Sequence, residues 1–503
     1  MLEAIVKQIR EKRTSSLFIA ISSLALILFV LTITSAILFP YSLDYGEAPL
    51  IDQAKRFVAG KEIYKADLNR PPYVIANYPP IYPLLIALIG SISRLPFLAV
   101  GRMISAFAAL ISAIFIGRFS YQLSGSRFSG LVAMVLFLSN LFVMSWSFRA
   151  RVDMLALAFS LACLWIMYRY WNSWRWLALA VGFMVMAIYT RQSYVLAVPA
   201  AGIVWLWQKD RWRALVFVGS LALTTFMIFL MLNILTRGGF FLHTIVANIN
   251  PYSLERVADF AVLLILAWPF ALAIVVIQIK QAVKVMLNRR DSLTELDPFL
   301  VYGLPVYSVG AFLSALTVGK VGSHVNYLLE LVASCTIWAT SARISPPRPL
   351  PLRYQGLTLL FLSQLAWSLG SNFPVYRSLI YSHWQDLPQY ERLFQAVRSA
   401  AKQGPVLADD GLYMVILAEQ PIYYQPFEYS QLYIQGIWNP SLLIEEIKAH
   451  KFALIVLNMT DPALYQERWA KPIATAIENS YVKSGTLLEF TLYMAPTTGL
   501  PPK

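Results

Sequence analysis

The sequence predicts an α-helical polytopic membrane protein carrying a small α/β domain at its C-terminal end. Two observations lead to the membrane part. Of the 503 residues 58% are hydrophobic and only 14% charged, with a mean hydropathy of +0.58. Between residues 15 and 371 there recur apolar stretches close to the roughly 20 residues that a spanning helix needs. A third observation sets the C-terminal part aside. Residues 372–503 hold 10 Lys and Arg against 12 Asp and Glu, which leaves 31 against 15 for residues 1–371. The net charge of +14 therefore belongs to the membrane part and does not signal a nucleic-acid partner.

Taken in order, the chain opens with the cationic flank MLEAIVKQIREKR and the apolar stretch SSLFIAISSLALILFVLTITSAILF. That stretch is too long for a signal-peptide core, so it reads as an uncleaved first span with its start in the cytoplasm. Further spans are expected over 97–117, 129–148, 153–170, 175–190, 193–208, 213–235, 258–279, 299–318, 325–342 and 354–371. With the first they make eleven and leave the C-terminal domain outside. PPIYPLLIALIGSIS, residues 79–93, is short and opens on two prolines; it is assigned to the membrane interface rather than to a span. The basic residues support that parity. Arg118, Arg127, Arg169, Arg175, Lys209, Arg211, Arg213, Lys280, Lys284, Arg289, Arg290, Arg343, Arg348 and Arg353 then collect on the cytoplasmic side with the N-terminus, as the positive-inside rule asks.

The division is thus 1–371 for the membrane module and 372–503 for a soluble extracytoplasmic α/β domain. Within the module the first outer loop, 41–96, is long and organised. EAPLIDQAKRFVAG places Leu50, Ile51, Ala54, Phe57 and Val58 at helical spacing and ends on Gly60, an amphipathic helix expected to lie on the bilayer. Before it, YSLDYGEAPL sets Asp44 and Glu47 at the water's edge. A carboxylate beside lipid is desolvated, which raises its pKa; the bland reading of Asp44 is a helix cap.

Other polar groups stand out against the apolar background. Asp153 follows the third span in SFRARVDMLALAF, with Arg149 and Arg151 beside it. The arginines could bind phosphate or orient Asp153, or they could snorkel to headgroups while Asp153 caps the fourth span. Arg191 separates two short apolar stretches, as a loop anchor or as part of a cavity. VGKVGSHVNYLLEL gathers Lys320, His324, Asn326, Tyr327 and Glu330 at the entrance to the tenth span. Glu330 lies one turn past Asn326, so both face one cavity or glue two helices. Cys163 and Cys335 sit inside apolar runs, which excludes a disulfide framework. The four histidines, 243, 324, 383 and 450, lack metal-ligand spacing. No phosphate-binding loop, serine elbow or nucleotide fingerprint is present. In 372–503, YERLFQAVRSAAK, PVLAD, NPSLLIEEIKAHK and FALIVLN alternate helix and strand, with Asp409 and Asp410 following a strand. That domain is expected to bind an acceptor or to act as a scaffold.

The succession of apolar span, Asp-Tyr-Gly-Glu, amphipathic helix, Gly60-Lys61-Glu62-Ile63-Tyr64, Tyr78-Pro79-Pro80, GRMISAFAALISAIFIGRFSYQLSGSR and Phe148-Arg149-Ala150-Arg151-Val152-Asp153 resembles the GT-C glycosyltransferases. These include protein O-mannosyltransferases, the aminoarabinose lipid A transferases and enzymes with an RgtA/B/C/D-like domain. The resemblance covers roughly residues 15–340. It implies an inverting transfer of a hexosyl or pentosyl group from a polyprenyl-phosphate sugar to an acceptor hydroxyl outside the membrane. Asp44 would be the base, and Asp153 a second acid of the active site. The acceptor would be a glycan, a lipid or a protein. No cofactor is required, though Asp44 and Asp153 could share a divalent cation. The chain departs from the pattern twice. Where many relatives have adjacent Asp-Glu, Tyr45 stands second and Glu47 is the substitute candidate. Where aminoarabinose transferases carry a lysine before the double proline, this chain has Tyr78, so the donor phosphate must find its cation among Arg149, Arg151, Arg191, Lys320 and His324. A transporter or flippase of a lipid-linked glycan, or a non-catalytic envelope assembly scaffold, are the competing readings.

Overall fold

The structure is a computed structural model that describes residues 2–288, 297–341 and 352–496. Arg289, Arg290, Arg343 and Arg348, expected on the cytoplasmic side, lie outside the described residues. Each expected span falls on a helix or a pair of helices. The long apolar helices are α1 (Leu2–Leu38), α4 (Phe97–Ser124), α7 (Asp153–Tyr170), α10 (Arg211–Leu235) and α14 (Pro298–Ala315). Two further helices of the first outer loop, α2 (Glu47–Val58) and α3 (Ile81–Ser93), lie between α1 and α4.

Two expected spans are broken. α5 (Arg127–Leu138) and α6 (Leu141–Ser147) meet at 68°, where the Asn140 side chain accepts from the N–H groups of Phe142 and Val143 and so starts a new helix. α12 (Leu254–Ala267) and α13 (Pro269–Asn288) meet at 93°. Pro269 has no N–H to continue the ladder, and Gln364 from α16 (Leu352–Ser371) accepts from Phe270 N–H and Ala271 N–H, both at 3.1 Å. Among the described residues, five helices are long and apolar enough to cross a membrane, and seven spans result if each bent pair counts as one. Of the remaining expected spans, α16 has 20 residues and three others are shorter. α8 (Trp174–Thr190) has 17 residues, α9 (Ala197–Lys209) 13 and α15 (Leu329–Thr340) 12. At 1.5 Å per residue the last two reach only about 18–20 Å, less than the hydrocarbon thickness.

Small residues set the helix crossings that carry the site. A Cβ on Gly130 of α5 would come within 2.8 Å of the Gly117 carbonyl of α4, so these two helices touch backbone to backbone. Gly101 of α4 likewise admits Ala150, a Cβ there lying 2.7 Å from the alanine methyl.

The amphipathic helix α2 corrects an expectation. Glu47 through Ala54 are all buried, and α2 packs on protein: on α3, on α4 and on the helix Leu412–Leu417. Leu50, Ile51 and Ala54 of its apolar stripe face a protein core instead of lipid, a distinction helical periodicity does not make, while Val58 at the end stays exposed. By contrast α3 leaves Leu84, Leu88 and Ile92 exposed at four-residue intervals, the apolar face an interfacial helix presents.

Beyond α16 the chain builds a four-stranded sheet in the order β1-β2-β4-β3, from β1 (Val406–Ala408), β2 (Leu454–Asn458), β3 (Val482–Leu487) and β4 (Phe490–Met494). β1 and β2 are parallel and β4 is antiparallel to both β2 and β3. The sheet region is hydrogen-bonded to the first outer loop. Tyr73 N–H donates to the Tyr423 carbonyl at 2.7 Å, Gln425 N–H to the Tyr73 carbonyl at 2.9 Å, and Ile75 N–H to Gln425 Oε1 at 2.7 Å. Around this seam Tyr73, Tyr424, Tyr429, Trp438 and Trp469 are buried in one aromatic cluster. This seam brings residues 423–430 over the end of α1.

Candidate active site

The turn from α1 into α2 is held by one arginine. All five N–H groups of Arg102, on α4, are used: Nη1 donates to the carbonyls of Ala36 and Phe39, Nη2 to the Tyr41 carbonyl and Glu47 Oε2, and Nε to Glu47 Oε1. Glu47 also accepts from Leu43 N–H at 2.7 Å and Ala150 N–H at 2.8 Å. Arg102 and Glu47 have no exposed side-chain surface. With four donors on its two oxygens and no route to solvent, Glu47 anchors the turn. The sequence offers Glu47 as a substitute for an acid adjacent to Asp44; its complete burial makes it a structural anchor instead.

Asp44 lies at the crest of the turn so anchored, with 27% of its side chain exposed. Oδ1 accepts from Gly46 N–H at 2.8 Å and from Arg151 Nη1 at 3.1 Å. Oδ2 lies 3.9 Å from Arg149 Nε and accepts no hydrogen bond among the described residues. Gly46 is needed for this approach, since a Cβ there would lie 1.2 Å from Arg151 Nη1. Burial alone would raise the Asp44 pKa. The charges of Arg151 and Arg149 and the bond from Gly46 outweigh it, so Asp44 is held below the ordinary carboxylate value and stays ionised at neutral pH. Desolvation, the one influence visible in the sequence, acts in the opposite direction and is outweighed.

Asp153 is elsewhere in the same wall. It is fully buried at the start of α7, with Oδ2 accepting from Trp146 Nε1 at 2.9 Å and Oδ1 from Asn326 Nδ2 at 2.8 Å and from Arg191 Nη1. Its charge partner is thus Arg191, 38 residues away, and the neighbours Arg149 and Arg151 turn to Asp44 instead. The Arg191 guanidinium also lies 4.3 Å from the ring centre of Tyr327. Arg191, Tyr194, Asn326, Tyr327 and Glu330 line a space of about 10 Å³, no more than a single water needs. Asn326, Tyr327 and Glu330 therefore converge as the sequence suggested, but around the Asp153–Arg191 pair and not on a substrate-sized pocket.

A cavity of about 240 Å³ opens beside Asp44. One wall carries Tyr45, Gln53, Asn77 and Tyr78 from the first outer loop and α2; another carries Trp146, Arg151, Arg256 and His324; a third carries Phe427, Glu428, Glu467 and Arg468. Tyr78 sits where the sequence placed it, its hydroxyl 3.4 Å from Arg151 Nη2. His324 stacks on Trp146 with centroids 4.9 Å apart. Burial and the nearby positive charge of Arg149 push its pKa down to about 4, so at neutral pH it is an uncharged hydrogen-bonding ring and no cation for a phosphate. Lys320 is absent from the residues lining this cavity; its ammonium lies 5.8 Å from the Tyr327 ring centre. His243 is buried between Ala76 N–H and the Lys65 carbonyl, which fixes the first outer loop.

Four charged residues of this cavity carry no signal in the sequence. Glu428 accepts from the Tyr45 hydroxyl at 2.6 Å and from Asn77 Nδ2 at 3.2 Å, and burial pushes its carboxyl above the ordinary value. Arg468 reaches Asp410 at 2.5 Å and lies 4.9 Å from the ring centre of Tyr45. Arg256 pairs with Glu467 at 2.9 Å. No local pattern marks any of them; their shared feature is origin in segments that meet only in the folded chain. Asp409 is the buried partner of Asn458 N–H and Trp469 Nε1 behind the sheet edge. A second cavity, of about 260 Å³, shares Asp44, Tyr45 and Arg468 with the first and continues toward His383, Tyr390 and Glu489.

Among the described residues no group of three or more His, Cys, Asp or Glu side chains comes together as a metal site. Asp44 and Asp153 are each paired with an arginine.

No family model matches the sequence, and no curated protein does. Solved structures do match. ArnT from Cupriavidus metallidurans bound to undecaprenyl phosphate superposes with a TM-score of 0.63 at 14% identity, over 97% of this chain and 99% of that one. Its apo state gives 0.59 at 13%, over 95% and 98%. The apo oligosaccharyltransferase of Archaeoglobus fulgidus gives 0.52 at 12%, over 95% of this chain and 75% of that one. The chain has the GT-C fold. Within the GT-C fold this chain builds its site with a Tyr45–Glu428 hydrogen bond at the position beside Asp44, and with a tyrosine, Tyr78, before the double proline.

Proposed function

We propose that the protein is an integral membrane glycosyltransferase that moves a sugar from a polyprenyl-phosphate donor to an acceptor hydroxyl, with inversion. The observation that carries this reading is Asp44. It is an ionised carboxylate with one oxygen, Oδ2, free of hydrogen bonds among the described residues, beside a cavity that also presents arginines, in a fold shared with an ArnT bound to undecaprenyl phosphate. In the reaction Asp44 Oδ2 takes the acceptor proton as the acceptor oxygen bonds to the anomeric carbon. The bond from that carbon to the phosphate oxygen breaks, and its electron pair leaves with polyprenyl phosphate. Arg151 keeps Asp44 ionised and oriented, and Arg151 and Arg256 stabilise the charge that grows on the leaving phosphate. Arg191, committed to Asp153, and the uncharged His324 drop out of that role, and Lys320 is left outside the cavity. The Asp153–Arg191 pair instead fixes the wall formed by Trp146 and Asn326.

In this reading residues 1–371 form the catalytic membrane module and 372–503 an extracytoplasmic α/β domain that closes the site. The N-terminus is cytoplasmic, and the donor is met at the outer leaflet. The acceptor is a hydroxyl of a glycan, lipid or protein. The test uses purified protein in lipid with a panel of polyprenyl-phosphate sugars and a cell-envelope extract as acceptor source. Wild type is expected to release polyprenyl phosphate, and Asp44→Asn to release it about 10²–10⁴-fold more slowly. Equal release by both proteins removes Asp44 as the base, and no release from any donor overturns the reading.

A further inference from the structure

Arg468 is a buried arginine with an unused binding edge. It ends the helix Pro462–Arg468, is only 7% exposed, and lines both of the cavities that meet at Asp44. Among the described residues its guanidinium makes one hydrogen bond, from Nη1 to Asp410 Oδ2. Nε and Nη2 donate to no protein group, yet they keep accessible surface, whereas the equally unpaired Nε atoms of Arg149, Arg151 and Arg256 are sealed off. An arginine this buried rarely leaves donors bare; Arg102 uses its own in five hydrogen bonds. Nε–H and Nη2–H lie side by side along one edge of the guanidinium plane, the fork that matches two oxygens of one phosphate.

The other sides of the guanidinium are held. Asp410, which takes Nη1, is fixed by Asn458 Nδ2 at 2.9 Å. The Tyr45 ring, centred 4.9 Å from Arg468 Cζ, is tied to Glu428 at 2.6 Å. The Arg468 carbonyl accepts from the Ser430 hydroxyl at 2.7 Å. A donor pair fixed in this way needs no reorganisation when an oxyanion arrives. In the second cavity Arg468 is joined by the carboxylates of Asp44, Asp410 and Glu489, which repel an anion; in the first it is joined by Arg151 and Arg256.

Building on the glycosyl-transfer reading, we propose that Arg468 is a third residue binding the donor phosphate: Nε and Nη2 grip two oxygens of the lipid-linked phosphate side-on, while Asp410 holds Nη1. As the bond from the anomeric carbon to the phosphate oxygen breaks, the negative charge left on the phosphate grows against this fork. The C-terminal region then supplies part of the donor site itself.

The experiment measures binding to the full chain in lipid nanodiscs, with farnesyl phosphate, farnesol and inorganic phosphate as probes. Wild type is expected to bind farnesyl phosphate more tightly than farnesol. Arg468→Lys keeps the charge and can still pair with Asp410, but has no fork; it is expected to lose about tenfold in affinity for farnesyl phosphate. Asp410→Asn leaves the fork and its charge in place, and the amide oxygen can still accept from Nη1; it is expected to bind farnesyl phosphate at least as tightly as wild type. Wild-type affinity in Arg468→Lys, or a tenfold loss in Asp410→Asn, would mean that the pair only holds the wall together, and overturns the inference while leaving the transferase reading to its own test. Displacement of farnesyl phosphate by an equal concentration of inorganic phosphate would mark a site for a free anion and overturn the assignment to a lipid-linked donor. Failure of wild type to prefer farnesyl phosphate to farnesol overturns both readings.

Discussion

Gly46→Ala tests how Asp44 is tuned. Gly46 has φ −78°, a conformation alanine adopts freely, so the backbone should not object. The obstacle is Arg151. The new Cβ would lie 1.2 Å from its Nη1 and 2.5 Å from its Cζ. The far end of a flexible side chain can swing away, and when it does the 3.1 Å contact to Asp44 Oδ1 is lost. Asp44 then keeps the burial that raises its pKa, the Gly46 backbone bond and the more distant Arg149, but loses its strongest opposing charge. An opposite charge at this range is worth roughly 1–3 pKa units. In wild type the group stays ionised until the pH falls below the ordinary carboxylate value, so transferase activity should hold down to about pH 4. In Gly46→Ala the acid limb of kcat/KM should move up by roughly 1–3 pH units, with activity lost as pH falls through the new value. Arg151→Ala should shift the limb similarly, and the double variant should shift it no further, because both changes remove one interaction. Both variants should also raise KM for the donor. A Gly46→Ala profile that superposes on wild type, or a double variant whose shift is the sum of the singles, refutes this account of Asp44.

Two further outcomes follow from the buried charges. Glu47→Gln leaves Arg102 charged, fully buried and unpaired, which should cost about 3–5 kcal/mol; the unfolding midpoint in nanodiscs should fall sharply, and Arg102→Met in the same chain should recover part of the loss. A variant with unchanged stability and lost turnover would instead return Glu47 to the chemistry. Asp409 acts in the soluble part: burial, then the neighbouring Asp410, raises its pKa to about 6. A raised folded-state value means the native chain holds a proton that the unfolded chain has released above about pH 4. Stability should therefore decline as pH rises from about 4 to 6, by up to ~3 kcal/mol. Asp409→Asn should flatten that decline in an unfolding-midpoint series, and an unchanged slope would show that another group titrates.

The parts of this molecule legible in the sequence are those with a local signature. Apolar runs locate the helices, and Asp44 is visible because it follows the first of them at a charged turn. Signals that depend on a partner far along the chain are not legible. Glu47 and Arg102 are 55 residues apart and form one fork, yet in sequence one looks like a loop acid and the other like an interfacial arginine. Arg149 and Arg151 stand next to Asp153 in the chain, but the turn ahead of α7 points them to Asp44 while Asp153 faces inward to Arg191. The amphipathic pattern of α2 reports an apolar face and is silent on whether lipid or protein covers it. Span counting fails for a related reason: a 12-residue helix such as α15 and the bent pair α12–α13 both read as apolar runs, and hydropathy does not record the break at Trp268–Pro269.

Glu428 is the sharpest case, and it changes how the site should be understood. The GT-C resemblance led to an expectation of a second carboxylate adjacent to Asp44, and Tyr45 stands there instead. The tyrosine hydroxyl reaches 2.6 Å to a carboxylate from residues 426–434, a helix more than 380 residues downstream. That helix is positioned by the backbone seam at Tyr73 and Gln425 and by the aromatic cluster around it. The carboxylate nearest Tyr45 is therefore supplied by docking, not by the turn that carries Asp44. Asp44 is anchored through Glu47 and Arg102 to α1 and α4, whereas the Glu428, Glu467 and Arg468 wall comes from the C-terminal region. The membrane part can hold Asp44, and the cavity beside it is completed from the C-terminal side.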